Sequence, residues 1–180
     1  MGSFFSNITF ERNGRSEDQL NKIIATALEK AGIDVDDKEC FFENSADKRW
    51  VTVYCEMFVD MNITEEQIKI IANSLEGFAI NIYCVDSDFI DMKASDGNYS
   101  GTVYIGEPYF DDAGEPDLKV WESFFENDSD LEKFKDIISD DYICAEDSIE
   151  PLAELFGFDK NDVNCFFEEV EERAVTKLTI

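Results

Sequence analysis

Histidine is absent from the 180 residues, which removes Ser-His-Asp triads, His-ligated zinc and imidazole proton shuttles together. Basic residues are scarce. Against 42 Asp+Glu stand 15 Lys+Arg, giving a formal charge of −27 and a pI near 4.1. That charge repels DNA, RNA and anionic lipid at every approach, so neither nucleic acid nor a membrane is an expected partner. No apolar run approaches the ~18–20 residues of a membrane span. No basic stretch followed by a long apolar one opens the chain, so a cytoplasmic setting is expected. Glycine-rich phosphate loops and the G-x-S-x-G nucleophile turn are also missing.

Cysteine is present but gives no pattern. Cys40, Cys55, Cys84, Cys144 and Cys165 are odd in number, widely spaced and without a C-x-x-C pair. Each sits among Phe, Tyr, Val or Ile, so all five are expected to be free thiols in the core of a protein kept in a reducing compartment.

What the chain does contain is enough to fold. Hydrophobic residues make up 44%, including 16 Phe, which sets it apart from a disordered acidic tail. Two capping boxes stand out, Ser16-Glu17-Asp18-Gln19 and Thr64-Glu65-Glu66-Gln67, each opening a run of apolar residues at helical spacing. The first run is Leu20, Ile23, Ile24, Ala27, Leu28 and Ala31, stopped by Gly32. The second is Ile68, Ile71, Ala72 and Leu75, stopped by Gly77. Lys22-Ile23-Ile24-Ala25 matches Lys69-Ile70-Ile71-Ala72, a weak internal repeat.

Strand signals flank both helices: Asn7–Glu11 and Glu39–Glu43 around the first, Trp50–Met57 and Phe78–Val85 around the second. The doubled strand-helix-strand order resembles the ferredoxin-like βαββαβ arrangement. The expectation is therefore an α+β protein whose residues 1–107 form a ferredoxin-like antiparallel sheet with two helices on one face. Asn44–Lys48 would be the turn between the halves. Asp88–Ser95 and Thr102–Gly106 would be extra strands, the first paired by a hairpin across Asp86-Ser87.

From Glu107 the composition shifts, with Pro108, Gly114 and Pro116 marking a linker. Residues 108–180 are expected to be an acidic helical region packed on or beside the sheet. Its apolar faces are Leu118, Trp121, Phe124 and Phe125; Leu131, Phe134, Ile137 and Ile138; Leu152, Leu155 and Phe156 up to Gly157; and, after the cap Asp159, Val163, Phe166, Phe167, Val170 and Ala174. Residues 1–90 carry a net −9 and residues 91–180 a net −18, so the helical half holds twice the excess.

Carboxylate doublets are abundant: Asp36-Asp37, Asp111-Asp112, Asp140-Asp141, Glu146-Asp147, Glu168-Glu169 and Glu171-Glu172. Neighbours in a helix or strand point in different directions, so doublets are not convergent sites. Asp86, Asp88 and Asp91 lack calcium-loop spacing, and Asp128-x-Asp130-x-Glu132 has Lys133 where such a loop needs glycine. No catalytic residue, metal or cofactor is expected. The competing readings are a carboxylate-based, divalent-metal-dependent enzyme, which would need acids from several elements in one cleft, and a charge that serves solubility.

A compact acidic domain is physically suited to meeting a strongly basic surface. In size, acidity, α+β pattern and the run Ala145-Glu146-Asp147 to Leu155-Phe156-Gly157-Phe158, the chain resembles the small acidic bacterial immunity proteins co-produced with polymorphic toxins. An uncharacterised bacterial domain family fits the same features. The immunity resemblance implies a non-catalytic inhibitor of a basic toxin or nucleic-acid-binding protein, and no motif carries residues over from it. Asp128, Asp130, Asp140, Asp141, Glu146 and Asp147 lie in or beside the connections between the expected helices. They are the candidate partner-binding residues.

Overall fold

The computed structural model describes residues 2–35, 38–43, 45, 48–106, 116–172 and 175–179. Asp36, Asp37, Asn44, Pro108, Asp111, Asp112, Gly114 and Ala174 fall outside them, and with them most of the expected linker and most of the expected turn after Glu43.

Both capping boxes form. Ser16 Oγ accepts from the Gln19 amide while Gln19 returns a bond to the Ser16 N–H, opening helix α1 over Glu17–Lys30. Thr64 and Gln67 repeat the exchange ahead of α2, Glu65–Leu75. Helix α1 ends as expected, with Gly32 left-handed at φ +69°. In α2 the left-handed position is Glu76 (φ 54°), one residue before the expected Gly77.

Seven strands follow the chain: β1 (Phe5–Glu11), β2 (Cys40–Glu43), β3 (Trp50–Cys55), β4 (Ala79–Val85), β5 (Phe89–Ser95), β6 (Ser100–Gly106) and β7 (Val175–Lys177). They make one open antiparallel sheet in the order β6-β5-β4-β1-β3-β2-β7. This is wider than a four-stranded ferredoxin-like sheet, and its full order differs from one. Asp86 and Ser87, both at positive φ, turn β4 into β5 and so carry the sheet outward past β4.

The other edge departs from the sequence reading. The fourth expected helix shrinks to one turn, α6 (Lys160–Val163), capped by Asp159 as expected. The chain then leaves through a short 3₁₀ segment at 167–172 and pairs with β2 as β7. Asn161, Asp162 and Asn164 are poor helix formers that favour caps and turns. The β-branched Val175 and Thr176 suit a strand. Beyond β7, Thr179 exchanges two hydrogen bonds with the side chain of Asn21 on α1.

Alternation along the strands gives the sheet two apolar faces. Ile8, Phe10, Phe42, Val51 and Val53 meet Leu20, Ile24, Leu28, Ile68, Ile71 and Leu75, so α1 and α2 share one face. Phe5, Ile80, Ile82, Ile90, Met92, Val103 and Ile105 meet the C-terminal helices on the other. Those helices are α3 (Lys119–Phe124), α4 (Asp128–Ser139) and α5 (Ile149–Phe156), with α6 after them.

One cysteine expectation is corrected. Cys40 and Cys55 are directly opposed in the β2–β3 register and form a disulfide, leaving Cys84, Cys144 and Cys165 free. Both lie far apart in sequence relative to any C-x-x-C pattern, and only the antiparallel pairing brings them together. Denatured, unreduced protein is therefore expected to titrate three thiols, and five would show the bond to be absent. The 15-residue separation puts the stability lost on reduction at about 3 kcal/mol, read from urea midpoints with and without reductant.

Candidate interaction surface

The outer layer of the helical face is acidic on an aromatic base. Trp121 of α3, Phe134 of α4 and Phe156 of α5 are fully buried and in mutual ring contact, with centroids 4.8–5.9 Å apart. Phe124 and Phe125 extend the cluster, and Trp50 of β3 joins it by donating its indole N–H to the Phe156 carbonyl at 2.9 Å. This holds the carboxylates above it on a rigid support. Between Asp117 and Val163 there are fifteen acids and four lysines.

Helix α4 carries most of the expected residues but separates them. Asn127 caps its start by accepting from the Asp130 amide, and Asp128 and Asp130 sit in the first turn, where the helix dipole favours anions. Hydrogen bonds from Lys133 and Asn127 hold the Asp130 carboxyl below its ordinary range. Asp140 and Asp141 lie past the other end, roughly 16–18 Å away for a twelve-residue helix. Asp130 borders a groove between α4 and α5 of about 610 Å³, whose floor is Ile137, Pro151 and Leu155 and whose walls include Asp136 and Glu154. Asp140 and Asp141 border a different cleft of about 520 Å³, shared with Asp88, Tyr104, Tyr142 and Ile143.

Glu146 and Asp147 belong to a third cleft, beside Glu150 and Lys160. Asp147 is exposed, whereas Glu146 turns inward to tie a 3₁₀ turn (Ala145–Ser148) to the β4–β5 hairpin. It accepts from Ser87 Oγ at 2.7 Å and Asn164 Nδ2 at 2.9 Å, and its own N–H donates to the Ser87 carbonyl. Burial would raise its carboxyl, but the hydrogen bonds from Ser3, Ser87 and Asn164 outweigh that and hold it low. Burial first, then the charges of Glu146, Asp88 and Asp86, push the nearby Cys84 thiol up to about 12, so it is protonated and unreactive at neutral pH. The six expected residues are therefore spread around the layer, not gathered.

Acids do converge in one place that the sequence did not indicate. Asp162 and Asp159 of the α6 region and Glu43 of β2 surround the ammonium of Lys48, at 2.6, 3.0 and 4.0 Å. Burial raises the Asp162 carboxyl despite that ammonium, while Asp159, also partly buried, is drawn below its ordinary range by hydrogen bonds from Lys48 and the Asn161 amide. Lys48 supplies the positive charge at their centre. Among the described residues no group of three or more Cys, Asp or Glu side chains is arranged to hold a metal ion, and no helix is long and apolar enough to cross a membrane. A second cluster escaped sequence reasoning: Asp91 and Lys93 of β5, buried with Asn62. The one signal for it was two opposite charges two residues apart in an otherwise apolar strand.

Comparison with protein families, with curated proteins and with solved structures finds no match.

Proposed function

We propose that this protein is a non-catalytic binding module for a basic protein partner, acting as an immunity-type inhibitor of a basic toxin or nucleic-acid-binding protein. The observation that carries the reading is the state of the outer carboxylates. Asp128, Asp136, Asp147 and Glu154 are exposed, and among the described residues none of their carboxylates accepts a hydrogen bond or forms an ion pair. They stand on packed aromatic residues, so their mutual repulsion cannot be relieved by rearrangement of the layer and is relieved by an incoming cationic surface.

The inner strand order β4-β1-β3-β2, with α1 and α2 on one face, supports reading the first half as a ferredoxin-like unit widened by β5, β6 and β7. That unit would be scaffold and the helical layer the contact. The reading places the protein in the cytoplasm, where burial of Cys40 and Cys55 would keep reductants from their bond.

The test is capture of the partner from the source cell, followed by association kinetics with the captured protein across salt. The association rate is expected to fall at least about tenfold between low salt and about 0.5 M, as steering is screened. A neutral or acidic partner, or a rate indifferent to salt, would leave solubility as the better account of the charge.

A further inference from the structure

Four concavities of the acidic layer could receive a partner, and they differ in chemistry. The one beside Glu146 and Asp147 has Lys160 in its wall. The cleft at Lys48 is already neutralised internally, since Lys48 holds Asp159 and Asp162, Arg49 pairs with Glu11, and Lys160 pairs with Glu150. The α4–α5 groove has an apolar floor, but Lys133 on its rim is tied to Asp130 and lowers its field. The end of α4 is different on every count.

Helix α4 finishes with no basic residue in its last turn, and the residues that follow are Asp140 and Asp141. The carbonyl end of a helix carries partial negative charge and favours cations. Two carboxylates there add to that charge instead of compensating it. Asp88 of the β4–β5 turn borders the same cleft. One wall is aromatic: Tyr142 packs against the apolar cluster beneath. Burial, then the charges of Asp140 and Asp147, raise its phenol above its ordinary value, so it presents a neutral ring. Beside this negative, aromatic cleft stands Ile143, 95% exposed, the most exposed large hydrophobic side chain among the described residues.

Resting on the reading above, we infer that the end of α4 is where the basic partner docks: an arginine side chain of the partner enters the cleft between Tyr142, Asp140 and Asp141, and Ile143 packs against an apolar surface next to that arginine. A guanidinium matches each wall, stacking on a phenol ring and forming paired hydrogen bonds with carboxylates, which a lysine ammonium does less well. An apolar anchor beside such a pair is the composition of an interface hot spot. A second copy of this chain is a poor occupant, because it would bring another −27 to a negative cleft.

The probe is a fluorescent peptide of arginine and leucine, compared with its lysine and leucine counterpart, in anisotropy titrations at low salt. The arginine peptide is expected to bind more tightly. Ile143→Ser and the double variant Asp140→Asn, Asp141→Asn are each expected to weaken it at least tenfold without lowering the thermal midpoint, since all three side chains are exposed. The double variant Glu29→Gln, Glu66→Gln removes the same charge from the exposed sides of α1 and α2, across the sheet from the helical layer, and is expected to change affinity less than threefold. Equal weakening by the two double variants, or no effect of Ile143→Ser, would overturn this docking point and leave the broader electrostatic reading standing. Failure of the arginine peptide to bind would also overturn it, whereas the broader reading falls with a neutral or acidic partner or with the salt-independent association described above.

Discussion

Phe156→Ala is expected to cost about 3–5 kcal/mol, the range for removing a buried aromatic ring and leaving a cavity. The ring of Phe156 touches those of Trp121, Phe124, Phe125, Phe134 and Phe158. Those residues come from α3 and the residue after it, from α4 and from the turn after α5, so one truncation loosens ring contacts to each of the three helices. Collapse around the gap is restricted because α5 is fixed at its C-terminal end by left-handed Gly157 and by the Trp50 indole bond to the Phe156 carbonyl. Both tryptophans lie in this cluster, so their fluorescence reports the loss directly in urea. With a slope of about 2 kcal/mol per molar, the midpoint is expected to drop by roughly 1.5–2.5 M. A loss below about 1 kcal/mol would mean that the helices are held to the sheet by something other than this cluster.

The elements whose information is local were legible in the sequence. The capping boxes at Ser16 and Thr64 named two helix starts to the residue, and the β-branched and aromatic run from Trp50 named the strand that lies between β1 and β2. The Asp86-Ser87 hairpin was legible too, because a turn constrains its own residues. What was not legible depends on pairing between distant segments. The five cysteines looked alike by local environment, and only the antiparallel register that sets Cys40 against Cys55 distinguishes two of them. Strand β7 does not stand out in the sequence, because Val163, Phe166, Phe167, Val170 and Ala174 recur at helical spacing just before it and the alternation beginning at Val175 is too short to be read alone. For the candidate site, sequence located the acidic half and the connections within it. It could not say that Glu146 would turn inward to Ser87 while Ile143 would face solvent. A hydrophobic residue beside two aspartates reads as core, and its exposure is decided by the path of the chain after α4.

Breaking the Asp91–Lys93 pair from one side is expected to be as costly as losing the aromatic ring, and removing both sides nearly free. Asp91 and Lys93 point to the same face of β5, flanked in register by Tyr83 and Tyr104 and by Asn81 and Thr102. Lys93 Nζ donates to Asp91 Oδ2 at 2.5 Å and to Asn62 Oδ1 at 2.8 Å, and Asn62 Nδ2 donates to the same Asp91 oxygen at 3.1 Å. The ring of bonds is closed, yet Asp91 Oδ1 is buried without a hydrogen-bond partner among the described residues. Lys93→Met keeps the length of the side chain and removes the ammonium, leaving a carboxylate enclosed by protein. The expected loss is about 3–5 kcal/mol. Asp91→Leu with Lys93→Met removes both charges along with the unpaired oxygen, and desolvation of the original pair then no longer opposes folding. That double variant is expected to match the parent or exceed it by about 1–4 kcal/mol. A spectroscopic readout accompanies the stability measurement. Burial first and the Asp91 charge second hold the Tyr83 and Tyr104 phenols above their ordinary value, so in the double variant both should ionise at lower pH in an alkaline absorbance titration. Should the double variant be as unstable as Lys93→Met while the phenols do titrate earlier, the pair would be required for the strand's conformation and its replacement by apolar groups would not substitute for it.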